Sequence, residues 1–444
     1  MRRLSFAGVS LAVAVGALAC RGCSDGDLDS RPLDASEPSP DHAPPVDARS
    51  VDAPTCKLPP RPAHVPDGWR LYEGYDPCCG FYIPTKSEQL PPALQWESCG
   101  PELYPGEVAC QRVALDRNNP ADYLSPQISS TVATDGALLF QVSRFTRPFV
   151  WRLIIEASGR VRHAFLETDS NRCTLGGGYL WRDHYVLSLN EYLSSELGGF
   201  VAGDLGSLTP TFAKRHTDLL SHSLYTGPFG IVDTAARPEI LLYPWADLAA
   251  PKTLWVRDDG LNHAKFVFTE NATFWTASSY QAVKVKIWTP DGRVRDLVAF
   301  PEDAARGAGA MGTDGRDMVW LEGPPRPPGD GGLDTYAIMA ARYTTDSSQV
   351  QAQERRLRSE IGSAMGAERF EVGCGFAARS RHDGLRIVRI ADGHSWFLPS
   401  KGRWNWQRVQ HVGCDEVFVR VMDGPRAELV RVRLDSLGPG DLPD

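Results

Sequence analysis

The sequence lacks the short motifs from which many hydrolases and nucleotide-binding proteins build their sites. It contains no H-E-x-x-H, no G-x-S-x-G and no Walker loop, so no single local segment supplies a catalytic or phosphate-binding signature. The segment LGGGY, residues 175–179, is rich in glycine but has no Lys-Ser/Thr pair. We interpret it as a turn or bulge next to a strand.

An excess of positive charge is also absent. The 444 residues include 47 Lys and Arg against 55 Asp and Glu, a formal charge of -8, which argues against nucleic acid as a partner. The composition, 42% hydrophobic and 23% charged, is that of a globular protein. The length fits two or three average domains or one large all-β unit.

The N-terminus has the features of an export signal. Arg2 and Arg3 precede a small and apolar run from Leu4 to Leu18, which is too short and too rich in Ala and Gly for a spanning helix. We therefore predict a signal peptide over residues 1–19. The ending ALAC resembles a bacterial lipobox, with cleavage before Cys20 and lipidation of its thiol. A plain secretory signal cut after Ala19 is the alternative.

Aromatic residues are missing from the segment that follows. Residues 24–55 are rich in Asp, Pro, Ser and Ala, and such a segment cannot bury enough apolar surface to offset its ordering entropy. We predict a disordered, acidic linker over residues 20–55. Together with Cys20, this linker predicts a lipid-anchored protein of the bacterial envelope, at the outer membrane, whose only membrane contact is the anchor.

The cysteines favour disulfides over a metal site. Eight remain when Cys20 and Cys23 are set aside, and they lack C-x-x-C spacing. An even number in an exported chain predicts up to four disulfides, with the connectivity left open. Cys374 and Cys414 occupy the same place in adjacent repeats, so we consider a bond between them. The eight candidates are Cys56, Cys78, Cys79, Cys99, Cys110, Cys173, Cys374 and Cys414.

A short pattern recurs along most of the chain: an apolar segment, a polar corner and a second apolar segment. Most neighbouring corners lie about 40 to 50 residues apart, which is the size of one four-stranded propeller blade. Two weak copies, at Asp233 and Gly375, leave six or eight blades as alternatives to seven. The corners lie at Asp135, Asp183, Asp233, Asn271, Asp314, Gly375 and Asp415.

A second glycine turn supports this period. Gly159, Gly292 and Gly393 each follow a corner and an alternating strand, so we place them between the third and fourth strands of a blade. The pattern predicts an all-β β-propeller of about seven four-stranded blades over residues 125–440. Two β-sandwiches are the alternative, but they predict no fixed period.

Three further predictions concern a helix, an N-terminal cap and the tryptophans. Residues 347–362, SSQVQAQERRLRSEIG, are the best helix candidate, within an insertion. Residues 56–124 are expected to form a disulfide-stapled N-terminal cap, which supplies a strand to a C-terminal blade around residues 427–437. Six tryptophans on predicted strands should pack between blades. They are Trp151, Trp181, Trp275, Trp288, Trp320 and Trp396.

The corners ATDG, residues 133–136, and GTDG, residues 312–315, precede the apolar strands LLF and MVW. With the lipoprotein-like start, they resemble the β-propeller lipoproteins common in myxobacteria and related Gram-negative bacteria, and distantly the TolB-like propellers. The resemblance implies an envelope location and a propeller fold. It implies no reaction.

Candidate catalytic residues are scattered. We interpret His216 and His222 as loop residues, and the polar run at residues 258–266 as a connection between blades. We therefore expect a non-enzymatic binding or scaffold module that uses a propeller face to bind an envelope protein or polymer. No metal or cofactor is expected. The alternative is a propeller hydrolase or lyase with its site in the central channel.

Overall fold

The computed structural model describes most of the chain after residue 60. The described residues are 61–72, 80–99, 108–115, 122–146, 149–167, 173–191, 198–216, 224–234, 239–256, 262–278, 283–299, 307–323, 334–343, 354–362, 370–381, 383–400, 404–423 and 426–442. The predicted signal peptide, Cys20 and the linker lie outside these ranges.

The described residues form thirty-one strands and two short 3-10 turns. Four strands precede the first blade: β1 (Arg70–Tyr72), β2 (Phe81–Ile83), β3 (Trp96–Ser98) and β4 (Cys110–Val113). The 3-10 turns are Ser87–Gln89 and Leu434–Ser436. No helix in this part of the chain is long and apolar enough to cross a membrane.

The first four blades each contain four consecutive strands. In chain order these are β5 (Asp122–Val132), β6 (Leu138–Thr146), β7 (Phe149–Glu156), β8 (Val161–Glu167); β9 (Cys173–Trp181), β10 (His184–Glu191), β11 (Gly198–Asp204), β12 (Phe212–His216); β13 (Leu224–Gly227), β14 (Gly230–Asp233), β15 (Glu239–Pro244), β16 (Lys252–Val256); β17 (Asn262–Thr269), β18 (Ala272–Ser278), β19 (Val283–Trp288) and β20 (Val294–Ala299).

Blades five and six follow the same plan, and blade seven has three strands from the C-terminal part of the chain. They are β21 (Gly307–Thr313), β22 (Asp317–Gly323), β23 (Asp334–Arg342), β24 (Arg355–Gly362); β25 (Phe370–Gly373), β26 (Phe376–Arg381), β27 (Gly384–Arg389), β28 (Ser395–Pro399); β29 (Trp404–Val412), β30 (Glu416–Asp423) and β31 (Arg426–Arg433).

The seven sheets form a closed ring. The first strand of each blade contacts the first strand of the next, and β29 of the last blade contacts β5 of the first. Seven clusters of buried apolar side chains lie one at each interface between neighbouring blades. Each sheet therefore buries both faces, and the predicted all-β, seven-bladed β-propeller is confirmed.

Six of the seven predicted corners join the first two strands of a blade. Gly136 and Gly315 adopt φ angles of 85° and 89°, a backbone conformation that glycine reaches without the strain of a Cβ atom. The turns at Gly159, Gly292 and Gly393 join third and fourth strands, as predicted.

The predicted position of the third corner was wrong. Asp233 is the last residue of β14, and the corner of this blade is the tight turn between Gly227 and Gly230. Its two central residues are Pro228 and Phe229, so a search for Asp or Asn missed it. A Cβ atom on Gly230 would lie 2.0 Å from the carbonyl oxygen of Tyr243, which explains why glycine ends this turn.

The helix predicted within residues 347–362 was also wrong for the described part, and residues 347–353 lie outside the described ranges. Arg355–Gly362 form β24, the outer strand of the fifth blade, which pairs with β23. Leu357 is buried while Arg355 and Arg356 are exposed. An outer strand can carry many charged residues because much of its surface meets solvent, and sheet pairing overrides the helical preference of such a composition.

The N-terminal segment, the described residues between 61 and 115, closes the ring at two places. The strand β4 pairs with β31, with Arg112 opposite Val430, and β3 extends that sheet further. The strand β2 pairs with β8 of the first blade, and β1 extends that edge. The predicted pairing with the C-terminal blade is confirmed, and the segment also adds two strands to the first blade.

Two disulfides are present among the described residues. Cys99–Cys110 closes the hairpin of β3 and β4, and Cys374–Cys414 joins the corners of the sixth and seventh blades, with Cα atoms 4.9 Å apart. The bond considered between Cys374 and Cys414 is thus present. The candidates Cys56, Cys78 and Cys79, and the side chain of Cys173, lie outside the description.

The predicted packing of tryptophans between blades is confirmed for five of the six positions. Trp275 packs between the third and fourth blades and Trp320 between the fourth and fifth, both with no exposed surface. Three more are partly buried and pack against the interface clusters: Trp151, Trp288 and Trp396. Trp181 is partly buried but belongs to none of these clusters.

Candidate binding site

A cavity of about 440 Å³ lies between the N-terminal segment and the first blade. This volume is within the range of small-molecule and peptide-side-chain sites. Its wall is mostly apolar. It consists of Pro66, Trp69, Gln89, Leu90, Pro91, Pro92, Leu94, Arg144, Thr146, Trp151 and Leu153.

The wall from the first blade comes from strands β6 and β7. Arg144 is directly opposite Trp151 in the ladder, so the two side chains share one face of the sheet. Phe140 lies on the same face and packs against Phe418 of the seventh blade at 4.5 Å between ring centroids. The blade wall of the cavity is therefore on the face turned toward the seventh blade. We call the interface between these two blades the seam.

The wall from the N-terminal segment is held by hydrogen bonds to backbone carbonyls. Arg61 donates to the carbonyls of Trp69 and Pro66 at 2.8 and 2.7 Å. The indole N–H of Trp69 donates to the carbonyl of Gln89 at 3.3 Å. Pro91 and Pro92 add residues with fixed φ angles. This wall is thus ordered before any ligand binds.

Two tryptophans supply the aromatic surface. The Trp69 and Trp151 rings meet edge to face, with centroids 5.4 Å apart and an interplanar angle of 90°. Trp69 is buried and Trp151 is partly buried. The geometry holds the Trp151 ring in place, and its partly exposed surface offers an apolar contact to a ligand.

Arg144 supplies the main polar group. Its Nε and Nη2 donate to the two carboxylate oxygens of Asp122, each at 2.9 Å. Asp122 is only 2% exposed, whereas the Arg144 side chain is 31% exposed. These bonds use two of the five donors of the guanidinium group and fix its plane. The other donors can bind an acceptor on a ligand.

A second polar contact crosses the seam nearer the corners. The Ser130 hydroxyl lies 3.1 Å from His411 Nδ1 and donates to the carbonyl of Gln410 at 3.0 Å. Burial lowers the pKa of His411 to about 4, so its ring is neutral at pH 7. Phe140 and Phe418 flank the ring. This contact joins the two blades.

The glycine-rich segment LGGGY, residues 175–179, is part of a blade strand. LGGGY lies in β9 and contains a bulge, as interpreted, seen as a register shift opposite Leu187 and Leu189. A Cβ atom on Gly178 would lie 1.6 Å from Gln141 Oε1, so a larger residue at this position would require the Gln141 side chain to move.

The scattered candidates do not form a site among the described residues. His216, interpreted as a loop residue, is the last residue of β12. Residues 262–266, interpreted as part of a connection between blades, instead begin the strand β17. His222, residues 258–261 and the side chains of His263 and Lys265 lie outside the described residues. Within the ranges that the structure describes, no group of three or more His, Cys, Asp or Glu is placed to hold a metal ion.

Sequence reasoning missed the cavity residues Trp69 and Arg144. They are far apart in the chain and meet only because the N-terminal segment lies against the first blade. The pair Pro91-Pro92 was a local signal of a rigid, extended segment, but the sequence did not indicate what this segment faces.

No protein-family model and no curated protein matches the chain. Among solved structures, the chain is similar to one from a study of two prolyl endopeptidases, with a TM-score of 0.47 and 10% identity over 73% of this chain and 50% of that one. The chain thus spans about half the length of that protein. It is also similar to the β-propeller domain of the Trilobed protease from Pyrococcus furiosus, with a TM-score of 0.42 and 11% identity over 73% of this chain and 99% of that one.

Proposed function

We propose that the protein is an exported lipoprotein of the bacterial cell envelope and that its propeller is a non-enzymatic binding module. The location rests on the signal-like residues 1–19, on Cys20 at the expected cleavage point and on the acidic linker up to residue 55. The linker would let the propeller reach a partner away from the membrane surface.

The cavity at the N-terminal segment is the observation that supports a binding role. Both of its walls are held in place, one by the β6–β7 ladder and the other by hydrogen bonds from Arg61 and Trp69. A preformed site spends little binding energy on ordering itself. The ligand is a protein partner or an envelope polymer with an apolar group for Trp151 and a hydrogen-bond acceptor for Arg144.

The hydrolase or lyase alternative has less support. It requires at least three polar side chains from different blades that converge on one reacting atom. Ser130 and His411 come from two blades, but their contact is flanked by aromatic rings and joins the blades to each other.

Site-specific cross-linking tests the binding role. A photoreactive residue at position 146, in the cavity wall, should form a covalent adduct with an envelope component in intact cells, and Trp151→Leu in the same chain should reduce the yield at least about fivefold because the aromatic contact is lost. The same probe at position 397, where Phe397 is 39% exposed on the sixth blade, is the matched control.

Equal adducts from both positions, or no effect of Trp151→Leu in a chain with an unchanged melting temperature, would refute the cavity as the site. The location is measured in the same cells by Cys20→Ser, which should move the protein from the membrane to the soluble fraction. Unchanged membrane association would refute the anchor.

A further inference from the structure

Two arginines lie directly opposite each other on the seventh blade. Arg408 of β29 and Arg420 of β30 are Cα partners in the antiparallel ladder, and directly paired Cα atoms are about 4.5 to 5.5 Å apart. Like charges in this arrangement repel each other and destabilise the strand pair.

Both side chains are turned toward the first blade. Phe418, two residues before Arg420 on β30, packs against Phe140 of the first blade, and alternate residues of a strand share one face. Arg408 shares that face because it is paired with Arg420. A bulge at Gln407, seen as a register shift after Trp406, brings it there.

The two guanidinium groups have buried donors that the described residues leave unsatisfied. Arg408 Nε and Nη2 and Arg420 Nε are buried and have no hydrogen-bond acceptor within the described part of the chain. The carboxylate of Asp122, on the facing blade, is bound through both oxygens by Arg144. Burial lowers the pKa of Arg420, because removal from water disfavours the charged form of the guanidinium group.

The amide of Asn405 lies on the same face of the blade as the two arginines. Asn405 is paired with Met422, two residues after Arg420, and therefore lies on the same face. Its Oδ1 is also buried without a partner among the described residues. A half-turn of the amide exchanges Oδ1 for the NH2 group, so Asn405 can donate to an anion at this place.

The local charge has the opposite sign to that of the whole chain. The chain carries a formal charge of -8, but the segment from Lys401 to Arg408 contains Lys401, Arg403 and Arg408 and no acidic residue. From Trp404 onward this segment is part of β29. The paired Arg408 and Arg420 would attract an anion from solution.

From this arrangement we propose that Arg408, Arg420 and Asn405 form a binding site for a phosphate group. Two guanidinium groups carry a charge of +2, which a phosphate monoester of about -1.5 to -2 balances at pH 7 and a single carboxylate does not. The planar forks of two arginines also match the oxygens of phosphate with several parallel hydrogen bonds. This site is separate from the proposed function, because it depends neither on the cavity nor on the envelope location.

Calorimetric titration of the purified protein with inorganic phosphate tests the proposal. We expect one saturable site, and we expect Arg408→Gln and Arg420→Gln each to weaken it at least about tenfold, since each removes a charged hydrogen bond. Arg433→Gln is the matched control: Arg433 lies on β31 of the same blade, is 62% exposed and pairs with Asp435. It should leave phosphate binding unchanged.

Melting temperatures separate a binding defect from a folding defect. Phosphate should raise the melting temperature of the wild type more than that of Arg420→Gln at the same concentration. Without phosphate, Arg420→Gln should melt at the same temperature as the wild type or higher, because the repulsion between the paired charges is gone.

Several results would overturn the proposal: no saturable phosphate binding by the wild type, acetate binding as tight as phosphate binding, or wild-type affinity in both variants. Glucose 6-phosphate and vesicles that contain phosphatidate distinguish a soluble from a lipid-borne phosphate group. Binding of either that Arg408→Gln and Arg420→Gln both weaken supports the site, and binding that both variants retain refutes it.

Discussion

His163 is a buried titratable residue at the interface of the first two blades. Its ring stacks on Phe165 with centroids 4.3 Å apart and meets Tyr185 at 5.0 Å. Burial lowers its pKa to about 4, partly opposed by backbone groups of Ala164 and Ser207. The ring is therefore neutral in the folded protein at pH 7 and acts as one more flat apolar group.

This environment predicts a loss of stability in weak acid. Between pH 6.5 and 4 the unfolded chain binds a proton at this histidine and the folded protein does not. The free energy of unfolding is therefore highest above the unfolded pKa and falls as the pH drops below it. Protonation of His163 in the unfolded chain lowers the free energy of unfolding by about 3 kcal/mol over this pH range. The free energy of unfolding of His163→Phe, measured with denaturant, should fall less than that of the wild type between pH 7 and pH 4, by about this amount.

Phe397→Leu is the control for this pH profile, because Phe397 is 39% exposed on the sixth blade and does not titrate. Its curve should run parallel to that of the wild type. His411, whose pKa burial also lowers to about 4, should retain its own acid dependence in His163→Phe. A profile for His163→Phe that matches the wild type would show that His163 does not titrate as argued.

At the scale of strands, a buried ion pair joins the first two blades. Arg152 of β7 binds Glu167 of β8 at 3.0 Å and also donates to the carbonyl of Leu175 in β9. Glu167 accepts the backbone N–H of Leu175 at 2.7 Å. Burial raises the pKa of Glu167, and the charge of Arg152 opposes this shift. The network thus fixes an outer strand of one blade against the inner strand of the next.

Removal of one partner of this pair should be strongly destabilising. Glu167→Ala leaves the Arg152 charge buried without its carboxylate, and such a change lowers the free energy of unfolding by about 3 to 5 kcal/mol. Arg182→Ala, which breaks the exposed pair with Glu270 at 2.8 Å, should lower it by less than about 1 kcal/mol. Denaturant unfolding of both variants measures the contrast, and similar losses would contradict the role of burial.

For the whole molecule, the disulfide between the last two blades restricts the unfolded chain. Cys374 and Cys414 are 40 residues apart, and a loop of this length corresponds to about 4 kcal/mol in the chain-entropy model. The double variant Cys374→Ala/Cys414→Ala should lose stability of this order in denaturant unfolding. The bond links the seventh blade to its neighbour on the side away from the seam.

The pair Cys99 and Cys110 provides the comparison, with a separation of only 11 residues. Its removal should lower the free energy of unfolding by about 3 kcal/mol. This bond also holds β3 against β4, at the outer edge of the seventh blade. The entropic argument for the longer loop fails if the double variant of Cys374 and Cys414 is the more stable of the two.

The sequence by itself determined the repeat. Asp135-Gly136, Asp314-Gly315 and the later glycine turns mark corners because turn chemistry depends on neighbouring residues only. Their spacing predicts four-stranded blades and about seven of them, with six or eight as alternatives. The third corner between Gly227 and Gly230 escaped notice because its central residues are not typical of the other copies.

Only the tertiary structure decided where the candidate sites lie. Trp69 meets Trp151, Arg144 binds Asp122, and Arg408 stands opposite Arg420. The first contact depends on how the N-terminal segment crosses the edge of the first blade, and the last depends on a one-residue bulge that turns Arg408 toward the seam. Such contacts are set by strand register and ring closure. The physical reason is that a one-residue bulge changes which face a side chain occupies, and that ring closure pairs strands distant in the chain, such as β4 with β31.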